Sequence, residues 1–386
     1  MTAERRPFGL VVDRLFRKFG ANYDAWRLPV LTNDEYKDLS TEERLFYLVS
    51  LAHLAGSSHN TQPWAFHLDI SERRIEVFLD RERVLSASDV EGRQACVSVG
   101  WAIGNLAMGA MKYGSGVGVD IAETQNRKVR PGGVDKAVRY IRLGAVGMEG
   151  EGNENDGLCG VIEAMVMRRI ERRQYDTTRD FTLGFYKKVE SLFDGEEGTG
   201  LRLWRRGDSR IKVLAELQLQ ADGFVANSES FSRELVTWFV ENETQRPLGM
   251  PGSTFNLTIE QAQEVIQGLS GRVMMKADNL AGFALTGKRG IESAACVGML
   301  TVKRQDVQSW VRVGMRLGAI ANLVELEQGG LAVHAGLAEV ALVRMSLAAI
   351  GMTIQQPVVL FRAGLRKAGE ERMPHSPRLP IEEVII

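Results

Sequence analysis

Residues Ala55 to Phe66 read Ala-Gly-Ser-Ser-His-Asn-Thr-Gln-Pro-Trp-Ala-Phe, a run of hydroxyls, amides and one imidazole closed by Pro63 and Trp64. Apolar residues at helical spacing precede it (Leu45, Leu48, Val49, Ala52) and an alternating segment follows (Phe66, Leu68, Ile70), so the spacing predicts a polar loop between a helix and a strand. Short hydroxyl and amide side chains can hydrogen-bond the edge of a heteroaromatic ring without filling the space the ring needs. Ser57, Ser58, Asn60 and Gln62 are therefore candidates for a ring-binding loop. The blander reading is that Ser and Asn satisfy their own loop backbone.

A second cluster, Arg168-Arg169-Ile170-Glu171-Arg172-Arg173-Gln174-Tyr175, suits anion chemistry, because guanidinium groups meet phosphate oxygens with paired donors in fixed geometry. A run of arginines at a helix end is also a solvated face complementing the helix dipole, and the residues alone leave both readings open. Near the C-terminus, Pro374-His-Ser-Pro-Arg-Leu-Pro adds Arg378 in a Pro-rich tail. Two nucleotide-like spacings fail. Gly282 to Lys288 has P-loop spacing, but Arg289 stands where a hydroxyl residue would bind Mg²⁺, and Gly114-Ser-Gly116-Val-Gly118 precedes a strand instead of following one.

Several elements must position these residues. Ser40-Thr-Glu-Glu resembles a capping box opening the helix into the loop, and Trp64 to Ile70 with Ile75 to Leu79 reads as a β-hairpin. Gly92 to Lys112 reads as a long helix rich in small residues (Gly100, Gly104, Ala107, Gly109, Ala110), which implies close approach by another helix or a ligand. Strands are expected over Gly116 to Ile121, Arg139 to Leu143, Leu201 to Arg205 and 294–302. Helices are expected over 8–19, 158–173, around 208–226 and, as a buried helix too short to span a bilayer, from Val340 to Met352. The acidic, Gly-rich stretch 148–157 reads as a linker.

The chain also repeats itself. A shift of 214 positions lays Gln94 on Gln308, Val97 on Val311, Gly100 on Gly314, Gly104 on Gly318, Ala107 on Ala321 and Gly116 on Gly330. Its 386 residues exceed the usual single core, so two related halves are expected. A composition of 44% hydrophobic and 25% charged residues describes an ordinary soluble globular chain, and a net charge of −1 argues against a nucleic-acid surface. The start, Met-Thr-Ala-Glu-Arg-Arg, has no apolar signal region. Three scattered cysteines (Cys96, Cys159, Cys296) and five scattered histidines suggest a reducing compartment, no disulfide framework and no metal cluster. A cytoplasmic protein without membrane or nucleic-acid partners is the expectation.

Ser57-Ser58-His59-Asn60-Thr61-Gln62-Pro63-Trp64 resembles the flavin-contacting loop of the nitroreductase family, enzymes that bind FMN and pass electrons from NADH or NADPH to small oxidants. The arginine cluster resembles that family's opening phosphate-binding motif of Arg, a hydroxyl residue, Arg and an aromatic, departing from it with Glu171 near the usual hydroxyl. The Pro374 to Pro380 tail resembles its closing motif, with Arg378 matching the basic residue that reaches the phosphate. The resemblance implies an α+β, nitroreductase-like fold of two tandem homologous halves forming an intramolecular pseudo-dimer, most similar to the fused, double-length branch. The halves would be 1–147 and 158–386, joined by the linker at 148–157, with a possible lid at 241–259.

It further implies FMN contacts from Ser57, Ser58, Asn60, Gln62, Arg168, Arg169, Arg173 and Arg378, with a backbone amide of Ala335 or Gly336 at the flavin N5. No catalytic side chain is implied, since the flavin carries the redox chemistry. The expected activity is ping-pong transfer from NAD(P)H to a small-molecule acceptor such as a nitroaromatic or quinone. The alternative is an FMN-storing protein with a covered flavin. Because the loop lies in the first half and both arginine motifs in the second, one FMN per chain is expected. Assembly beyond the self-contained pseudo-dimer stays open.

Overall fold

Thr32 and Ser40 each open a helix with a reciprocal capping box, the side-chain oxygen taking the N3 amide while the N3 glutamate returns to the cap. These helices are α1 (Asn33–Lys37) and α2 (Thr41–His53). The computed structural model describes residues 20–122, 129, 138–150, 155–196, 198–226, 228–271, 277–334 and 336–386. The helix expected over 8–19 lies outside these residues, as does 151–154 of the expected linker.

The hairpin forms as β1 (Trp64–Asp69) and β2 (Arg74–Asp80), with Trp64 opposite Leu79. Then come α3 (Arg93–Lys112), β3 (Gly116–Ile121) and β4 (Tyr140–Glu149), closing an antiparallel sheet of order β1-β2-β4-β3. Met148 and Glu149 pair with Val117 and Gly116, so β4 runs two residues into the stretch read as a linker.

The second half begins with α4 (Val161–Met167), α5 (Leu183–Ser191) and β5 (Thr199–Arg205). An insertion follows: α6 (Arg210–Ala226), α7 (Glu229–Trp238), the short parallel pair β6 (Phe239–Val240) and β7 (Met250–Pro251), α8 (Ile259–Leu269) and α9 (Ala277–Glu292). The chain resumes with β8 (Cys296–Val302), α10 (Val307–Leu326), β9 (Gly329–His334), α11 (Gly336–Glu339), α12 (Ala341–Ile350) and β10 (Gln356–Leu365). Its sheet, β5-β8-β10-β9, repeats the first strand for strand and is likewise antiparallel. The fold is thus α+β, with two halves of one topology.

The repeat has a physical cause where α3 meets α10. A Cβ on Gly100 would stand 2.1 Å from the Val311 carbonyl oxygen, and one on Gly314 would stand 2.0 Å from that of Val97. Val97 and Val311 are themselves related by the 214-residue shift, so the two glycines perform one reciprocal job across a pseudo-twofold axis. Side chains there would force the helix backbones apart. Leu45, Leu48, Leu106, Val311, Ile320 and Phe361 belong to one core that spans both halves.

The outer faces of the two sheets differ. Trp204, Leu214, Ile291, Met299 and Leu360 form a second core with α6, α9 and α12, whereas the first sheet carries a partly exposed ion-pair network of Arg74, Asp120, Arg142 and Glu76. Two expectations need correction. The helix read over 158–173 stops at Met167, because Ile170 bridges the edge of β9 at Leu331 and the Glu171 amide donates to the Leu331 carbonyl at 2.9 Å. The helix read as buried over 340–352 is α12, which buries Val343 and Leu347 while Met345 is 71% exposed.

After β10 the tail returns to the first half. There the Phe66 amide donates to Val384 O at 2.7 Å and the Ile386 amide to Phe66 O at 2.9 Å. Among the described residues no helix is long and apolar enough to cross a membrane.

Candidate functional site

The loop between α2 and β1 is strained. His59, Asn60 and Gln62 have φ of 49°, 55° and 49°, a left-handed region that Asn tolerates but that costs His and Gln on the order of 1 kcal/mol each. Hydrogen bonds on every side hold this conformation. Ser57 Oγ accepts from the Gln62 amide at 3.0 Å, and Ser58 Oγ donates to Gln94 Oε1 of α3 at 2.6 Å. Asn60 Nδ2 donates to the Gly249 and Pro377 carbonyls at 3.0 and 2.9 Å, while its Oδ1 accepts from Arg378 Nη1 at 2.7 Å. Gln62 Nε2 donates to Pro247 O at 2.8 Å, and its Oε1 accepts from the Leu379 amide at 2.9 Å. Two side chains thus tie together the loop, the insertion and the C-terminal tail.

Beneath the loop, His53 Nδ1 accepts from Trp64 Nε1 at 2.9 Å, which leaves Nε2–H to donate to Leu379 O, also at 2.9 Å. Burial, reinforced by the charge of Arg378, pushes its pKa down to about 3, so the imidazole is neutral.

Around this framework stand guanidinium groups, buried at Arg168 and Arg378 and half-buried at Arg172. Arg378 donates to Ala55 O at 2.9 Å and stacks over Trp26 at 4.6 Å; Arg168 donates to Leu54 O at 2.6 Å and stacks over Trp101 at 4.6 Å. Arg172 donates to Thr254 O at 2.9 Å and lies 4.1 Å from the centre of the Phe255 ring. None of the three forms an ion pair among the described residues, and Arg168 Nε is buried without a hydrogen-bond partner. Burial lowers the pKa of Arg168 and of Arg172 to about 10; burial and then the Arg168 charge lower that of Arg378 to about 9. Buried cations without counter-charge are costly, and a bound anion relieves that cost.

The expected residues divide unevenly. Ser57, Ser58, Asn60, Gln62, Arg168 and Arg378 sit in or against this framework, and Arg169 is buried beside them on the same segment, donating to Met167 O at 2.6 Å. Arg173 instead makes a two-pronged pair with Glu171 at 2.8 Å on each side and approaches Glu370 at 3.5 Å. Gly336 opens α11, and Ala335 lies outside the described residues.

No family model matches the sequence. The Acg protein of Mycobacterium tuberculosis, named as an NAD(P)H nitroreductase, is 25% identical over 340 residues, covering 87% of this chain and 93% of its own. Over nearly its whole length this chain is similar to a protein named as a nitroreductase. The PigM protein of a Serratia species, also named as an NAD(P)H nitroreductase, is 41% identical over 59 residues, 15% of this chain and 16% of its own. Among solved structures, one from Anabaena variabilis named as a nitroreductase covers 94% of this chain and 95% of its own at TM-score 0.46 and 9% identity, too slight a likeness to bear on function.

The residue missed from sequence is Arg172. Reading 168–173 as helix hid the alternation of an extended segment, which puts Glu171 and Arg173 on one side and Arg172 on the other. His59 was likewise passed over. Its Nδ1 is buried without a partner, its ring meets the edge of Phe231 of α7 at 6.0 Å, and burial pushes its pKa down to about 4.

Proposed function

We propose that the chain binds FMN between the 57–62 loop and the buried arginines, and that it is an FMN-dependent oxidoreductase passing electrons from NADH or NADPH to a small acceptor such as a nitroaromatic or quinone. The observation that carries this reading is the set of buried Arg168 and Arg378 and half-buried Arg172, with no carboxylate paired to them among the described residues. A phosphate monoester supplies the missing charge, and the unpartnered Arg168 Nε is a donor it would satisfy. Arg168, Arg169 and Arg378 would hold the phosphate. Ser57, Ser58, Asn60 and Gln62 would line the flavin, with the amide of Ala335 or Gly336 at its N5. Bound FMN supplies hydride uptake and electron delivery; the protein supplies orientation, charge and access.

A second reading, an FMN store with little turnover, is favoured by the insertion. The segment 241–259 lays the carbonyls of Gly249, Pro247 and Thr254 directly on Asn60, Gln62 and Arg172. That placement suits a lid over the flavin. The FMN reading is tested by titrating FMN into Arg168→Met, Arg378→Met and Arg173→Met. The first two should weaken binding about 10- to 100-fold, the worth of a charged hydrogen bond, and the third should leave it unchanged. Wild-type affinity in both Arg168→Met and Arg378→Met would remove the assignment.

A further inference from the structure

His334 ends β9, immediately before Ala335 and Gly336, with Leu360 of β10 as its cross-strand neighbour. Two positions along β10, Arg362 is buried at 2% exposure and donates from both terminal nitrogens to backbone, Nη1 to Arg173 O at 2.9 Å and Nη2 to Arg172 O at 2.8 Å. Its third nitrogen, Nε, points its N–H at His334 Nε2 at 3.0 Å. A guanidinium has donors and no acceptor, so His334 Nε2 must present its lone pair. The one proton of a neutral imidazole is then on Nδ1.

Arg362 has no room to swing away. A Cβ on Gly290 of α9 would stand 2.3 Å from its Cζ, so the insertion presses the guanidinium onto the sheet. Burial and the charges of Arg362 and Arg172 hold the imidazole neutral. Among the described residues no protein group accepts from Nδ1; the side chain is half-buried, and Nδ1 is open to solvent or a ligand while the opposite ring nitrogen is fixed. An oriented N–H open to solvent, at the strand end that leads into the expected N5 contact and within the field of Arg172, suits a ligand donor.

We propose that His334 donates a hydrogen bond from Nδ1 to the ring system of bound FMN, with Arg362 as the positioning residue that fixes its tautomer. This rests on the FMN reading above. It adds a residue to the site and a reason for Gly290, which keeps Arg362 in place. The ligand atom it recognises is a hydrogen-bond acceptor on the ring edge, so a ring analogue lacking that acceptor would lose the contact.

Two measurements test it. In flavin-free protein labelled with ¹⁵N-histidine, whose five imidazoles keep the spectrum assignable, His334 should show a protonated Nδ1 and a bare Nε2. The reverse tautomer would overturn the proposal, and Arg362→Met should release His334 into a mixture of both.

FMN titration then separates the ligand role from the fold. His334→Asn keeps an N–H near the place of Nδ1 and should bind FMN like wild type with the same visible spectrum, whereas His334→Leu should bind about tenfold more weakly with a shifted flavin band. Unchanged affinity and spectrum in His334→Leu would overturn the donor role while leaving the FMN reading intact. If wild-type protein fails to bind FMN, both fall together.

Discussion

Asn60 is the residue on which the site's order converges. Its amide touches the insertion, the tail and Arg378 at once, in a backbone conformation that Asn adopts more cheaply than other L residues. Asn60→Ala should lower stability by about 1–3 kcal/mol in denaturant melts and weaken FMN retention, because it takes the side-chain acceptor from Arg378 Nη1, leaving only backbone carbonyls, as well as losing its own bonds. Wild-type flavin content in that variant would undermine the loop assignment.

His53 gives a prediction in pH. The unfolded imidazole takes its proton near pH 6.5 and the folded one near 3, so as pH falls the unfolded state binds the proton first. The stability His53 contributes is full above pH 6.5 and is lost progressively between 6.5 and about 3. The stability gap between wild type and His53→Gln should therefore narrow across that window, and a constant gap would contradict the buried neutral assignment.

Among the elements, α3 and α10 carry the architecture through glycines. Gly100→Ala or Gly314→Ala places a methyl group within 2.1 Å of a facing carbonyl, so each should cost several kcal/mol, on the order of 3. Gly147→Ala on β4, with nothing within 4 Å of its Cβ, should stay within about 0.5 kcal/mol. Equal melts for Gly100→Ala and Gly147→Ala would mean the helices are not packed this closely.

This part of the fold was legible in the chain. The small residues from Gly92 to Lys112 announced a close helix contact, and the 214-residue register carries the ends of α3 onto those of α10. The segment after Met167 was not legible. The pairing of Ile170 with Leu331 joins residues 161 apart, and no local pattern reports it; without it, four arginines in six positions give no sign of which are buried. The route by which the 206–295 insertion returns to the loop was hidden for the same reason. Glu234 of α7, whose carboxylate accepts from the Ala87 and Ser88 amides at 2.7 and 2.9 Å, could not be matched to its partners from sequence.

Across the whole molecule, the two halves share a topology but not a chemistry. The 214-residue shift places Asp120 where the second half has His334, and Asp120 faces solvent in ion pairs with Arg74 and Arg142. The strained polar loop before β1 has no counterpart among the described residues before β5, where the Glu196 amide closes a turn on the Phe193 carbonyl. One FMN per chain is the expected stoichiometry on titration; two would show that the reciprocal site survives. The tail matters at this scale as well. Truncation after Arg372 removes Arg378 and the pairing with Phe66, and should abolish FMN retention while lowering the melting temperature.

The most direct test of the account is anaerobic reduction of the FMN-loaded protein. Addition of NADH or NADPH should bleach the yellow flavin absorbance, and a nitroaromatic or quinone should restore it. Flavin that stays oxidised with both donors would contradict the oxidoreductase assignment and leave FMN storage as the function of this fold.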